Sequence, residues 1–463
     1  MPDRDDLDSW LDGRVDPLPP PPGTFELIQR RARRRKYRKL AITAGSAAVV
    51  VAAAVTIPQV VSLHVLSPAP ASSGLAAGQS ASPGATGVGS PAASSATPVA
   101  SPPPAPVPVN FQPGSATFVG TDTGWVIGQA GTPGHCATQY CTSVARTDDA
   151  GKSWTGVPAP LTGPPDGATG VGQIRFLNLH DGWAFGPGLF ATHDGGEHWA
   201  QIDTHGLRVT DLETVGDRAF ALFGSCSGTG PGFAGQCTSF SLYSSVASAD
   251  DWTPVGAPTS GLAQAGQDGS ASIVLTGTTG YLLAPDGMLY AGPVDGSAPW
   301  QAVAPVPCTV GPAQQDGQPT GALLAAASAT RLVVACTPPP VPGGAQKKLI
   351  FASADAGSSW HPIEPVTAGP AAVAPAAGVA TSLAATPAGT VVLGTSQGID
   401  VLPAGSTGWQ QATVKAAPAG GFTFVGMTTG AQGVAVPADP ASGAVWLTYD
   451  GGQTWQPSPV SNP

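Results

Sequence analysis

Beyond residue 66 the chain offers few groups able to do chemistry. Its arginines there are Arg146, Arg175, Arg208, Arg218 and Arg331, and its glutamates are Glu197, Glu213 and Glu364. Glycoside hydrolysis needs two carboxylates flanking a sugar, about 5–5.5 Å apart for retention or about 6.5–9.5 Å for inversion. Asp122 and Asp181 occupy equivalent hairpins (TDTGW and LHDGW), and such repetition favours turn chemistry. Asp211–Glu213 and Asp250–Asp251 have no partner nameable from the sequence. His193 and His198 bracket the segment HDGGEH. A metal pair is conceivable there, but the first flanks a turn and the second replaces a Ser or Thr, so both read as exposed histidines. No nucleophile elbow, phosphate-cradling loop or zinc helix occurs. The expectation is no catalytic residue, no metal and no cofactor.

The six cysteines are Cys136, Cys141, Cys226, Cys237, Cys308 and Cys336. An even number fits three disulfides if this part of the chain lies outside the cytosol. Free thiols are the second reading. Zinc is the weakest, because no C-x-x-C is present and the histidines are not spaced as partners.

The elements that carry these residues are set by composition. With 62 Gly and 50 Pro in 463 residues, a long helical protein is excluded, since these are the two poorest helix formers. Eleven Trp and 13 Phe need burial, which excludes a wholly disordered chain. Residues 1–39 carry a net charge of +3 and residues 40–463 a net of −13, together the chain's −10. An acidic, Arg-poor body argues against nucleic acid, where phosphates demand clustered Lys and Arg. Abundant Ala and Gly, with six Lys and three Asn, suit a bacterium with a GC-rich genome.

Eight of the ten residues from Arg30 to Lys39 are basic, and residues 40–66 follow without a single Asp, Glu, Lys or Arg. Twenty-seven such residues exceed the roughly 20 that cross a bilayer core. Lys and Arg mark the cytoplasmic flank. The chain therefore divides into a cytoplasmic basic tail (1–39), a transmembrane helix (40–66), a Pro/Ala/Ser-rich linker (67–109) and an extracellular body (110–463). The span is longer than a signal-peptide core, so an uncleaved anchor is expected, although small residues near Ala69 and Ala71 leave cleavage open.

From residue 110 the chain repeats. TDDAGKSW, THDGGEHW, SADAGSSW and TYDGGQTW share a hydroxyl residue, then Asp149, Asp194, Asp355 or Asp450. Gly151, Gly196, Gly357 or Gly452 follows, and then Trp154, Trp199, Trp360 or Trp455. Weaker copies end at Trp252, Trp300 and Trp409, and successive Trp spacings are 45, 53, 48, 60, 49 and 46. Seven units of this size suit a propeller. An Asp can accept backbone N–H groups in its own turn, Gly can take φ > 0, and Trp buries a large ring. All three roles are structural.

The motifs resemble the Asp-box (bacterial neuraminidase repeat, BNR) group, which includes sialidases, sortilin-type receptors and photosystem II assembly-factor-like propellers. Pairing of ATFVGTDTGWVIG-type segments with a following T-x-D-G-G-x-T-W resembles the last, non-enzymatic kind most. The resemblance covers 110–463 and implies an all-β, seven-bladed propeller. Sialidases hold a substrate carboxylate with three arginines and use a Tyr–Glu pair with an Asp acid. Arg146, just before a repeated turn, and Arg175, in a first strand, have no such context.

In an up-and-down blade the 1–2 and 3–4 turns share one face, and the 2–3 loops and inter-blade links share the other. The Asp boxes are 3–4 turns, so all six cysteines fall on the opposite face, which predicts Cys136–Cys141, Cys226–Cys237 and Cys308–Cys336. Long loops at 129–145, 225–241, 304–320 and 337–348 share that face, and loops on rigid scaffolds carry binding. Tyr140, Phe233, Lys347 and Lys348 are its ligand candidates. The expected protein is a membrane-anchored propeller that binds a protein or glycan on this face without catalysis; the alternative is a cell-surface glycoside hydrolase of sialidase-like fold. Closure of the ring is left open, with residues 107–111 either adding a strand beside 456–460 or merely leading in.

Overall fold

The computed structural model describes residues 105–461 except 133–134, 137, 139, 164–168, 227–236, 256–270, 309–320, 339, 341–345, 347, 364–376 and 407. The tail 1–39, the span 40–66 and residues 67–104 lie outside the described residues, as do Phe233 and Lys347. Among the described residues no helix is long and apolar enough to cross a membrane.

The described chain forms seven antiparallel sheets, each from four strands consecutive in sequence. They span residues 112–157, 173–201, 208–254, 272–305, 321–362, 380–411 and 422–459. The second sheet shows the pattern: Gln173–Phe176, Gly182–Phe185, Leu189–Thr192 and Ala200–Gln201 pair in order. Its middle strands, GWAF and LFAT, are buried at every position. A sheet sandwiched between two others has no wet face, so its middle strands read as unbroken apolar runs. The last sheet gains a fifth, parallel strand from the preceding link, where Thr413–Val414 pairs with Thr454 and Trp455.

The core is divided into seven apolar clusters, one at each boundary between consecutive sheets. The seventh boundary closes the ring. There Phe111, Ala116 and Val126 pack on Val434, Val445 and Leu447. Gln432 Nε2 donates to the Thr121 carbonyl at 2.7 Å, and Trp154 Nε1 to Ser458 Oγ at 2.9 Å. The molecule is thus a seven-bladed β-propeller closed by side-chain packing, with no strand exchanged between first and last blades among the described residues.

The incoming segment does not pair with residues 456–460. Ala105 instead bridges Gly156 on the outer edge of the first blade, and Val109 accepts from the Gly131 N–H at 3.0 Å. A Cβ at Gly156 would lie 2.7 Å from the Pro106 carbonyl oxygen, so only glycine admits this approach. Residues 105–109, expected as linker, already belong to the folded body.

Backbone bonds also define two faces. The 3–4 turns bond to the 1–2 hairpins: Ala150 N to Asp122 O, Ala356 N to Thr330 O and Gly451 N to Ala431 O. The 2–3 loops bond to the links: Gly188 N to Gly170 O, Val306 N to Gly287 O and Ala438 N to Gly421 O.

Candidate functional site

The four full repeated turns share one hydrogen-bond set. In the first, Thr147 Oγ1 donates to Asp149 Oδ1 at 2.8 Å and accepts from Gly151 N at 2.9 Å. Ser153 gives its N–H to Oδ1 and its hydroxyl to Oδ2 of Asp149. Asp355 and Asp450 repeat this with Ser353, Ser359, Thr448 and Thr454. In the second turn the ring of His198 replaces the hydroxyl on Asp194, at 2.6 Å. Against slight burial, the His198 backbone and ring and Thr192 hold Asp194 down at about 2. The Ser359 hydroxyl and N–H, with Ser353, hold Asp355 at about 2 as well. These carboxylates are saturated with donors and stay ionised, and they support turns.

On the opposite face the three disulfides form as Cys136–Cys141, Cys226–Cys237 and Cys308–Cys336. Tyr140 is half-buried in the loop that the first of them closes. Lys348 departs from its expected place on an accessible ligand face, because it is fully buried. Its ammonium turns inward and donates to the carbonyls of Ala377 at 3.0 Å and Gly378 at 2.9 Å, between the fifth and sixth blades. Burial lowers its pKa, partly offset by Asp400. Burial likewise raises Asp400 to about 6.

The innermost strands of all seven blades enclose a central channel of about 710 Å³. Its charged lining side chains are Arg175, Asp211 and Glu213. Arg175 pairs with Glu213 at 3.2 Å and lies over the ring of Phe424, 5.4 Å from its centroid. Asp211 accepts Ile273 N at 2.8 Å and Leu212 N at 2.9 Å. Burial and then the Glu213 charge push it up to about 7. The contact to Ile273 is an inter-blade stitch: Ser115 accepts Ile174 N, and Ser382 accepts Val425 N, in the same manner. Asp211 performs with a carboxyl what its counterparts perform with a hydroxyl. Asp211 and Glu213 have no partner nameable from the sequence; their signal there is that only the first strands of the second and third blades, QIRF and RVTDLETV, carry charged residues.

A second cluster joins blades two and three on the face of the repeated turns. His193 holds Asp181 through Nδ1 and Asp250 through Nε2, each at 2.8 Å. Trp183 Nε1 also donates to Asp250, at 3.2 Å. Although burial lowers its pKa, bonds to both carboxylates raise that of His193 overall. His193 and His198 are both exposed, as expected, and each is also engaged by carboxylates. Among the described residues no group of three His, Cys, Asp or Glu side chains is placed to hold a metal ion.

These features define the class: a closed seven-bladed propeller with a disulfide-pinned loop face and carboxylates engaged in structural contacts. No protein-family model matches the chain, and no curated protein matches it in sequence. Solved structures similar to it include YCF48 bound to D1 peptide, at 16% identity and TM-score 0.45, covering 75% of this chain and 95% of that one. YCF48 from Cyanidioschyzon merolae has 16% identity and TM-score 0.40, covering 62% and 85%. The GH74 xyloglucanase from Xanthomonas campestris has 12% identity and TM-score 0.49, covering 77% and 55%. Likenesses of this degree carry nothing about ligand or reaction.

Proposed function

We propose that this chain is a single-pass, membrane-anchored Asp-box propeller that acts outside the cytoplasm as a non-catalytic binding module. It holds a protein or glycan partner on the face opposite the repeated turns. The observation that carries the reading is the placement of all three disulfides at that one face. Disulfides belong to oxidising compartments, which agrees with the basic tail and uncharged span at 30–66. They also pre-organise loops, which reduces the ordering cost of binding.

The hydrolase alternative has one feature in its favour, the raised carboxyl of Asp211. Asp211 and Glu213, however, lie two apart on one strand, Arg208–Val215. Both therefore line the same wall and cannot flank a glycosidic bond from opposite sides. Glu213 is further tied to Arg175.

Photo-crosslinking amino acids introduced singly into the full chain in cells, at Tyr140 and at Glu197, test the reading. Adducts from Tyr140 and none from Glu197 are expected. Adducts from Glu197 alone would place the partner on the other face and overturn it. Turnover of a glycan by the full-length protein would establish the hydrolase instead.

A further inference from the structure

The three disulfides differ in what a reactant can reach. Cys308 and Cys336 are wholly buried, and they tie the link after the fourth blade to the second strand of the fifth. Cys141 is buried as well, so its bond to Cys136 has one half-buried partner only. Cys226 and Cys237 are both half-buried. Exchange needs a thiolate to reach one sulfur while the other leaves as a thiolate, and a thiolate is disfavoured in apolar surroundings. Attack at Cys136 expels a thiolate at buried Cys141, and the Cys308–Cys336 bond is out of reach in the folded chain. Cys226–Cys237 alone has both the attacked and the leaving residue in touch with water.

The blade does not depend on this bond. The two cysteines face each other at the end of the ladder between Arg218–Cys226 and Cys237–Val246. From Ser225 and Ser239 that ladder runs on to Arg218 and Val246 without a further shift of register. The same strands pair outward with Arg208–Val215 and Thr253–Pro254, and they bury Phe220, Leu222, Phe240 and Leu242 against the next blade. Backbone bonds and core therefore hold the hairpin when the sulfurs part. Both sulfurs also lie over Gly224, where a Cβ would come within 2.8 Å of one and 3.2 Å of the other. Bare backbone leaves that flank without a covering side chain.

We propose that Cys226–Cys237 is a thiol–disulfide exchange site, opened and closed by an external dithiol while the propeller stays folded. A thiolate of the dithiol attacks one sulfur, forming a mixed disulfide and expelling the other cysteine as a thiolate, which takes up a proton. The second thiolate of the dithiol then displaces the first cysteine, which is protonated in turn. The protein gains two electrons and two protons, and the dithiol is oxidised to its own disulfide. The site lies on the face opposite the repeated turns, but it needs no partner there, so the crosslinking outcomes above leave it untouched.

The test uses the full-length protein in detergent micelles under native conditions. Dithiothreitol is the probe, samples are quenched with iodoacetamide over time, and alkylated cysteines are located by mass spectrometry while tryptophan fluorescence follows folding. Cys226 and Cys237 are expected to be alkylated at least about tenfold sooner than the other four, with the fluorescence of the folded state kept. Oxidised glutathione should restore the pair once dithiothreitol is removed. Cys226→Ser/Cys237→Ser should keep the folded fluorescence and lose the fast phase. Alkylation of Cys136 and Cys141 first, or of all six cysteines together, would overturn the proposal. So would unfolding in step with the opening of Cys226–Cys237, or a fast phase that survives in the double variant.

Discussion

Replacing His193 by Ala removes a clasp between two blades while sparing the turn that carries it. The fifth blade has Ala354 at the matching place, and its turn keeps every bond among Ser353, Asp355 and Gly357. What is lost is the pair of 2.8 Å contacts to Asp181 and Asp250. A buried charge-assisted hydrogen bond is worth about 1.5–3 kcal/mol, and an exposed ion pair about 0.2–1 kcal/mol. His193 is 43% exposed at its side chain while the carboxylates are 18% and 16% exposed, so the two contacts together should contribute about 1–2 kcal/mol after screening. For a domain of this length, with an unfolding entropy of about 2.1 cal/mol/K per residue, that is a fall in Tm of about 1.5–3 °C. The sign with pH follows from the shifts. His193 is raised above its usual 6.5, so its contribution is full below that value and lost as pH climbs through the folded pKa. Asp181 is lowered from 3.8: burial works against the shift, and the Asn178 and His193 bonds outweigh it. Its contribution is present above 3.8 and lost as pH falls through the folded value. The deficit of His193→Ala should therefore be greatest near about pH 5.5 and shrink by about pH 9. Calorimetric melts of wild type and variant at both pH values measure it. A deficit equal at the two, or larger at the higher, would refute the clasp.

Three further outcomes are expected. Asp211 titrates near 7 when folded, so wild type loses stability as pH rises from its usual 3.8 toward 7. Asp211→Asn removes that loss, and its Tm relative to wild type should improve between about pH 4.5 and about pH 8. Trp455 is fully buried with its N–H on the Gly452 carbonyl at 2.8 Å, and Trp455→Ala should cost about 3–5 kcal/mol by denaturant titration. The half-buried Trp360, whose N–H is unpaired among the described residues, should cost less. Removing Cys308–Cys336, which closes a span of 28 residues, should cost about 3–4 kcal/mol, seen as a lower denaturation midpoint for Cys308→Ala/Cys336→Ala.

Much of the architecture was legible because it is local. A hydroxyl residue, an Asp, a Gly and a Trp within eight positions set four of the seven outer hairpins, since all the bonds that matter there lie within four residues of the Asp. Seven such tryptophans at regular intervals set the blade count. Strand order within a blade then fixed which turns share a face, and pairing each cysteine with its neighbour along the chain on that face matches the three disulfides that form. The closing of the ring was not legible, because Gln432 and Thr121 meet across 311 positions. Nor was Lys348: adjacent lysines read as a wet basic pair, and nothing local told that one would turn to the carbonyls of Ala377 and Gly378.

The sequence by itself determined the repeating unit, its four strands and the sidedness of the loops, since short-range turn chemistry and alternating burial are written in consecutive residues. Only the tertiary structure decided which charges meet. Arg175 and Glu213 face each other in the channel, His193 bridges two blades, and a buried indole N–H at Trp252 lacks an acceptor among the described residues. Each depends on the angle and distance between neighbouring blades, set by seven apolar clusters acting together, and no stretch of sequence carries that angle alone.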